Sequence, residues 1–473
     1  MTFDTRIAGG SVVLPTEVVE ADVLIGGERI AAVVDRDEAV EAETTVDASG
    51  KLILPGVVDP HTHIADYNTV DTYETASAAA ALGGVTSLLT FAWQAWVGEE
   101  SPYDEPGTLL EAIERHHARS EDAYVDHGVH AVITREEPET LTELADVKEE
   151  GVTSVKFFTT YESGVSNGFL NEAFEAVAAE GLVAAVHTED DTICTRRTEQ
   201  AAARGDDDPE LYPDARPDYA EAIAAGAAAR MAVEHGVKYY GVHTTSRAAV
   251  EELARYTDRP NVRAETCTHY TAVDDGLYAE LGALPVLAPP LRTEDDVDAL
   301  FDHLADGTLS VVSTDHVATT RAQKTDTPWW DGPYGANSLQ RSLPVFHDVA
   351  VNERGFSYPF LARVMSENPA RTFGLARKGR IAPGMDADLV VFDPAETGTI
   401  SAETNASNAD FSIYDGREVT GRVKKTFVRG TLVADDGEIV ATPGHGRYLD
   451  REVPTWAADS ESDGDRAPIA GGE

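Results

Sequence analysis

Val183-Ala-Ala-Val-His187, four apolar residues closed by a histidine, is the stretch on which the fold turns. A run this short, set off by Gly181 before it and a polar residue after it, reads as a buried β-strand. The same construction recurs at Tyr239-Tyr-Gly-Val-His243, Ser154-Val-Lys156-Phe-Phe and Val311-Val-Ser-Thr-Asp315. It recurs again at Val57-Val58, followed closely by His61 and His63. Further apolar runs lie at 88–91, 129–133 and 262–264, with Ala/Glu-rich helical stretches between them. Eight strands alternating with helices over residues 56–378 predict a parallel (β/α)8 TIM barrel.

Outside that span the pattern changes. Residues 1–55 hold short runs split by turn signals, such as Asp22-Val-Leu-Ile-Gly and Lys51-Leu-Ile-Leu-Pro. Short strands return over 379–450, as in Ala387-Asp-Leu-Val-Val-Phe and Lys425-Thr-Phe-Val-Arg-Gly-Thr-Leu-Val. The simplest assembly joins both chain ends, 1–55 and 379–450, as one small β-sandwich beside the barrel. Residues 451–473 are acidic and polar with Pro and Gly, which predicts a loosely ordered tail.

The 473-residue chain carries 84 Asp and Glu against 37 Lys and Arg, a formal charge of −47. The acids are spread throughout, a composition similar to that of proteins from salt-loving archaea. In molar salt their repulsion is screened within about 3 Å. Such a surface repels nucleic acid and anionic membranes. Two cysteines, Cys194 and Cys267, make neither a disulfide framework nor a Cys-rich zinc site. No secretory signal and no run of about 20 apolar residues is visible, so a cytoplasmic protein is expected.

The residues at the strand ends carry the chemistry. His61 and His63 lie two apart, so both imidazoles can face one side of a strand. Neutral imidazole is a common zinc ligand, although His-x-His alone fits a structural pair equally well. Lys156 sits in an apolar strand where an ammonium is expensive to bury. Burial favours the neutral amine, which can add carbon dioxide and become a carbamate able to bridge two cations. The alternative is a lysine snorkelling at a strand end or pairing with an acid. His187 and His243 taken singly fit core histidines, and Asp315 fits a helix cap. The order His-x-His, Lys, His, His, Asp along successive strands is specific for a two-metal site.

On these residues the chain resembles the amidohydrolase superfamily, and within it the dihydropyrimidinase/hydantoinase group of cyclic amidases. The resemblance spans residues 5–445. It rests on Gly56-Val-Val-Asp-Pro-His-Thr-His, Ser154-Val-Lys-Phe-Phe-Thr-Thr-Tyr, Val242-His-Thr-Thr-Ser, Ala288-Pro-Pro-Leu-Arg and Ser313-Thr-Asp-His. Asn368-Pro-Ala-Arg-Thr-Phe-Gly and Gly379-Arg-Ile-Ala-Pro-Gly-Met-Asp-Ala-Asp-Leu extend it beyond the site. It implies two divalent metal ions, expected to be Zn2+. His61, His63 and Asp315 would hold one, His187 and His243 the other, with N6-carboxylated Lys156 between them. Asp315 would also move the proton. It further implies Tyr161 as oxyanion stabiliser, Asn337 and Ala288 as substrate contacts, and a homo-oligomer, tetramer or dimer. The activity implied is ring opening of a dihydropyrimidine or hydantoin to an N-carbamoyl amino acid. Allantoin or another cyclic amide is the alternative substrate, and a non-catalytic assembly protein of the same fold is a third reading. Dihydroorotases place an arginine where Ala65 stands, which disfavours dihydroorotate. Trp93, Trp96, Trp329 and Trp330 are candidates to line or cover the pocket. Glu189 and Asp190 fit either orienting partners of His187 or surface charge, and His269 and Cys267 read as structural.

Overall fold

A computed structural model describes residues 2–94 and 107–456. All eight predicted barrel strands are present, as β1 (Val57–Asp59), β2 (Val85–Trp93), β3 (Asp126–Val132) and β4 (Ser154–Phe158), then β5 (Val183–His187), β6 (Lys238–Gly241), β7 (Val262–Cys267) and β8 (Val311–Ser313). They form one sheet in sequence order, every neighbouring pair parallel. Helices cover the outer face, so β2, β3, β4 and β5 are buried along their whole length. Burial on both faces explains why these strands read as continuous apolar runs.

The ring closes beside the residues of interest. Just beyond β8, the Thr314 hydroxyl donates to Asp59 Oδ2 at 2.6 Å. The short strands Thr62–His63 and His316–Val317 then pair in parallel, His316 opposite Thr62. Closure therefore fixes the spacing between the His-x-His segment and Asp315. Helix ends are locally encoded: Thr72 makes a capping box ahead of Tyr73–Leu82, and Gly181 ends Asn167–Glu180 at φ 71°.

Both chain ends meet in a ten-stranded mixed sheet beside the barrel. Leu52–Pro55 pairs antiparallel with Leu389–Thr399, Pro55 opposite Leu389. This unit encloses its own apolar cluster, with Ile7, Val23, Ile53, Leu389 and Phe427 at its centre. Lys378 pins it to the barrel: Nζ lies 2.6 Å from Asp126 Oδ2, 2.6 Å from Asp388 Oδ2 and 3.1 Å from Asp386 Oδ2, all buried.

The segment expected to be loose from residue 451 is packed at its start. Arg451 is buried under the barrel, where its guanidinium donates to Ser154 Oγ and the Val129 carbonyl. Trp456 is also buried, donating from Nε1 to the Thr372 carbonyl at 3.2 Å. Acidic composition hid this anchor because one arginine and one tryptophan carry it. Residues 457–473 lie outside the described residues.

Candidate metal centre and catalytic pocket

A cavity of about 550 Å3 opens at the C-terminal ends of the barrel strands. Its wall contains His61, His63, Lys156, Tyr161, His187, His243, Ala288 and Asp315. Eight of the nine candidate site residues, drawn from segments more than 250 residues apart, thus share one space. Asn337 is not among the lining residues; it is buried with Oδ1 lacking a hydrogen-bond partner, while Gly335 two positions earlier does line the cavity.

The donors fall into two groups. His61, His63 and Asp315 each offer one atom, and all three atoms lie within 4.8 Å of one another. His61 Nε2 is 3.1 Å and His63 Nε2 3.4 Å from Asp315 Oδ1. His187 and His243 form the second group, Nδ1 of the first 2.8 Å from Nε2 of the second. The rings of His61 and His243 are 5.3 Å apart, so the groups adjoin. Two imidazoles with a carboxylate, all buried, form a donor set suited to a divalent cation.

Carboxylates behind the histidines decide which nitrogen faces the cavity. His61 Nδ1 donates to Glu265 Oε1 at 2.5 Å, which leaves Nε2 for the cluster. Glu265 itself is held by the Tyr240 hydroxyl at 2.6 Å and by the His243 backbone N–H at 3.2 Å. His187 Nε2 donates to Glu189 Oε2 at 2.9 Å, which leaves Nδ1 facing His243. Such carboxylate–histidine pairs orient metal ligands and raise their basicity.

Lys156 lines the same cavity, near enough to interact with Asp315 of the first group and with His187 and His243 of the second. It is 1 % exposed, its Nζ sits 4.8 Å from the centre of the Phe158 ring and 5.1 Å from that of Phe91, and it makes no ion pair among the described residues. Burial lowers its pKa to about 8, although Asp315 and Glu265 pull the other way. The snorkelling and acid-paired alternatives are therefore not what the side chain does. Burial also works against a charged His61, but Asp315 and Glu265 outweigh it and raise its pKa to about 9. Burial would lift the Asp315 carboxyl; His61 and His63 instead hold it well below the usual range. For His187 burial dominates and brings the pKa to about 4.

Tyr161 occupies the rim, its hydroxyl 3.5 Å from Glu189 Oε2. Burial keeps the phenol protonated, with its pKa well above 10. Tyr161, His243 and Asp315 adopt φ of 71°, 37° and 42°, a left-handed backbone that costs non-glycine residues about 1–3 kcal/mol. Strain of this kind persists where the surrounding structure fixes a functional side chain.

Several neighbours now have definite roles. Glu189 is fully buried, and Arg216 brings its pKa down to about 2 against the opposing effect of burial. Asp190 instead caps helix Asp191–Arg204, accepting from the Ile193 N–H at 3.0 Å. Trp93 lines the cavity, stacked on Phe158 at 5.1 Å. Trp329 is core, packed against Tyr212 and donating to the Asp206 carbonyl; Trp96 lies outside the described residues. Glu265, Arg216, Tyr67 and Tyr334 were not singled out from sequence. Glu265 had a signal, being an acid inside the apolar strand Val262–Cys267. The others come from loops without periodicity.

Comparison with known proteins agrees with this geometry. A model described as the amidohydrolase family matches residues 52–433. The D-hydantoinase of Streptomyces coelicolor is 36% identical over 471 residues, covering 95% of this chain and 98% of that one. An allantoinase of Salmonella choleraesuis is 30% identical over 466 residues, covering 95% and 99%. The crystal structure of dihydropyrimidinase from Brevibacillus agri NCHU1002 superposes with a TM-score of 0.90 at 31% identity, covering 95% and 99%. The chain belongs to the amidohydrolase family, in the group that holds the hydantoinases and dihydropyrimidinases.

Proposed function

We propose that this chain hydrolyses a ring amide of hydantoins or dihydropyrimidines, releasing an N-carbamoyl amino acid. The observation that carries the reading is the convergence of His61, His63, Lys156, His187, His243 and Asp315 on one cavity with Tyr161 at its rim. His61, His63 and Asp315 would hold one divalent cation, zinc being the expected ion, and His187 and His243 a second. Lys156, buried without a counter-ion, is suited to react as neutral amine with carbon dioxide and serve both sites as a carbamate. When bound, such a pair of cations lowers the pKa of water and polarises a carbonyl.

The chain's own residues complete the reaction. The Tyr161 phenol, protonated throughout the neutral range, donates to the amide oxygen as charge develops on it. Asp315 accepts a proton from the attacking water and returns it to the leaving nitrogen. The C–N bond breaks, the carbonyl carbon gains hydroxyl and the nitrogen gains hydrogen. Tyr67, Trp93, Phe158 and Tyr334 give the cavity aromatic walls that exclude water from the ring. Among the described residues Lys156 is the only lysine or arginine in the lining, which disfavours a carboxylate-bearing ring such as dihydroorotate.

The test is a hydrolysis panel of hydantoin, dihydrouracil, allantoin and dihydroorotate, with metal content measured on the same preparation. Turnover of hydantoin or dihydrouracil with bound divalent metal is expected. Preference for allantoin would favour the allantoinase alternative, whose relatives match nearly as much of the chain. Absence of both metal and turnover would favour an assembly protein. Lys156→Ala is expected to abolish activity, with partial rescue by short carboxylic acids; full activity without rescue rules out the carbamate.

A further inference from the structure

Arg216 does not line the cavity, yet much of the site rests on it. It lies just after the short helix Tyr212–Ala215 and is 4 % exposed. Its guanidinium grips Glu189: Nε is 3.0 and 3.1 Å from the two carboxylate oxygens and Nη2 is 2.6 Å from Oε2. That same Oε2 accepts from His187 Nε2 and from the Tyr161 hydroxyl. The guanidinium carbon also lies 4.8 Å from the centre of the Tyr161 ring and 5.5 Å from that of Tyr334. One planar cation thus fixes the acceptor at the end of the phenol and supports the face of its ring. Lysine has no planar face and no fork, so it cannot do both.

Arg216 is itself anchored from the far side. Arg292, last residue of Ala288-Pro-Pro-Leu-Arg, donates from Nη1 to the Arg216 carbonyl at 2.7 Å. Its Nε reaches Thr245 Oγ1 at 3.1 Å, and Glu221 accepts from the Thr245 N–H and hydroxyl at 2.8 and 2.6 Å. Two motifs that each give the cavity one lining residue, His243 from Val242-His-Thr-Thr-Ser and Ala288 from Ala288-Pro-Pro-Leu-Arg, are joined here behind it by their remaining residues. Their shared product is a fixed position for Arg216.

We propose that Arg216 is a positioning residue for Tyr161, supporting its ring face and, before substrate binds, holding its hydroxyl on Glu189, so that the single O–H has only to turn from Glu189 to the amide oxygen as charge develops there. This rests on the hydrolase reading above. A group that acts only as charge develops changes kcat more than KM. Arg216→Lys keeps the charge and loses the fork and face. It is expected to lower kcat about 30-fold with KM within about threefold and metal content unchanged. The decisive measurement is a double-mutant cycle with Tyr161→Phe. If the arginine acts through the tyrosine, Arg216→Lys costs less than about threefold once Tyr161 is already phenylalanine. Multiplicative losses, or a parallel loss of bound metal, would overturn the assignment, the latter by placing the effect on His187. Should Arg216→Lys fail to fold, Glu189→Gln, nearly isosteric, enters the same cycle with the same expected coupling. Wild-type protein that hydrolyses none of the panel overturns the functional reading and this inference with it. Active wild type matched by an equally active Arg216→Lys overturns only this one.

Discussion

Lys324 offers a stability measurement whose sign follows from burial alone. It sits in helix Arg321–Thr325, is 2 % exposed, and its Nζ donates to the Val286 carbonyl with no carboxylate partner among the described residues. Burial lowers its pKa from 10.5 to about 7. A base whose pKa falls on folding binds fewer protons in the native state between about 7 and 10.5, so stability rises with pH through that window. At about 1.4 kcal/mol per pH unit the full effect is roughly 5 kcal/mol. Below about pH 7 the protein therefore carries a buried ammonium at that cost. Lys324→Met removes the cost together with one hydrogen bond worth about 1 kcal/mol. The variant is expected to exceed wild type by about 3–4 kcal/mol near pH 6 in urea unfolding. The gain should shrink steadily above about pH 7 and vanish by about pH 10. A stability difference that does not change between about pH 6 and pH 10 would refute the reasoning. There is a functional corollary, because Gln323 and Thr327 line the cavity on either side of this lysine. The Gly335 N–H also ends on the Val286 carbonyl, at 3.2 Å, so the lysine helps fix the cavity wall and its loss should raise KM more than it lowers kcat.

Two further outcomes are expected. Lys378→Met leaves three buried carboxylates short of their shared cation and should destabilise by about 3–5 kcal/mol, nearly independent of salt, with kcat of the folded fraction unchanged; thermal unfolding and turnover at low and molar KCl check both parts. At the cavity lining Glu162 and Asp331 are exposed acids, so a hydantoin with a carboxylate side chain should show kcat/KM on the order of tenfold below a neutral aromatic one. Glu162→Gln with Asp331→Asn, or added salt, should narrow that gap, and an unchanged ratio would discount the mouth charge.

The barrel was legible because its strands are buried on both faces and so appear as uninterrupted apolar runs, as in Val183–His187. The candidate ligands were legible because each lies within or just beyond such a run, where a polar residue is conspicuous. What escaped was the layer behind. Arg216 follows a four-residue helix, and its meaning depends on Glu189, 27 residues earlier, and on Arg292, 76 residues later. No local period encodes such meetings; only the closed barrel brings them together. Glu189 itself was ambiguous for a different reason, since in a chain with 84 acidic residues a buried carboxylate looks like all the others. Trp329 shows the converse: a tryptophan in a pocket-side loop turned inward to the core because Tyr212 and the Asp206 carbonyl offered it a partner for each end.

The pairing of Leu52–Pro55 with Leu389–Thr399 has a consequence for how the protein is made. The first strands leave the ribosome more than 300 residues before the strand that completes their sheet. At about 5–20 residues per second they wait on the order of 15–70 s with an open edge. An open edge is where nascent chains find one another. A chain whose acids outnumber its bases by 47 meets its neighbours at that moment with like charge, a repulsion that opposes edge-to-edge pairing at low ionic strength and fades as salt screens it.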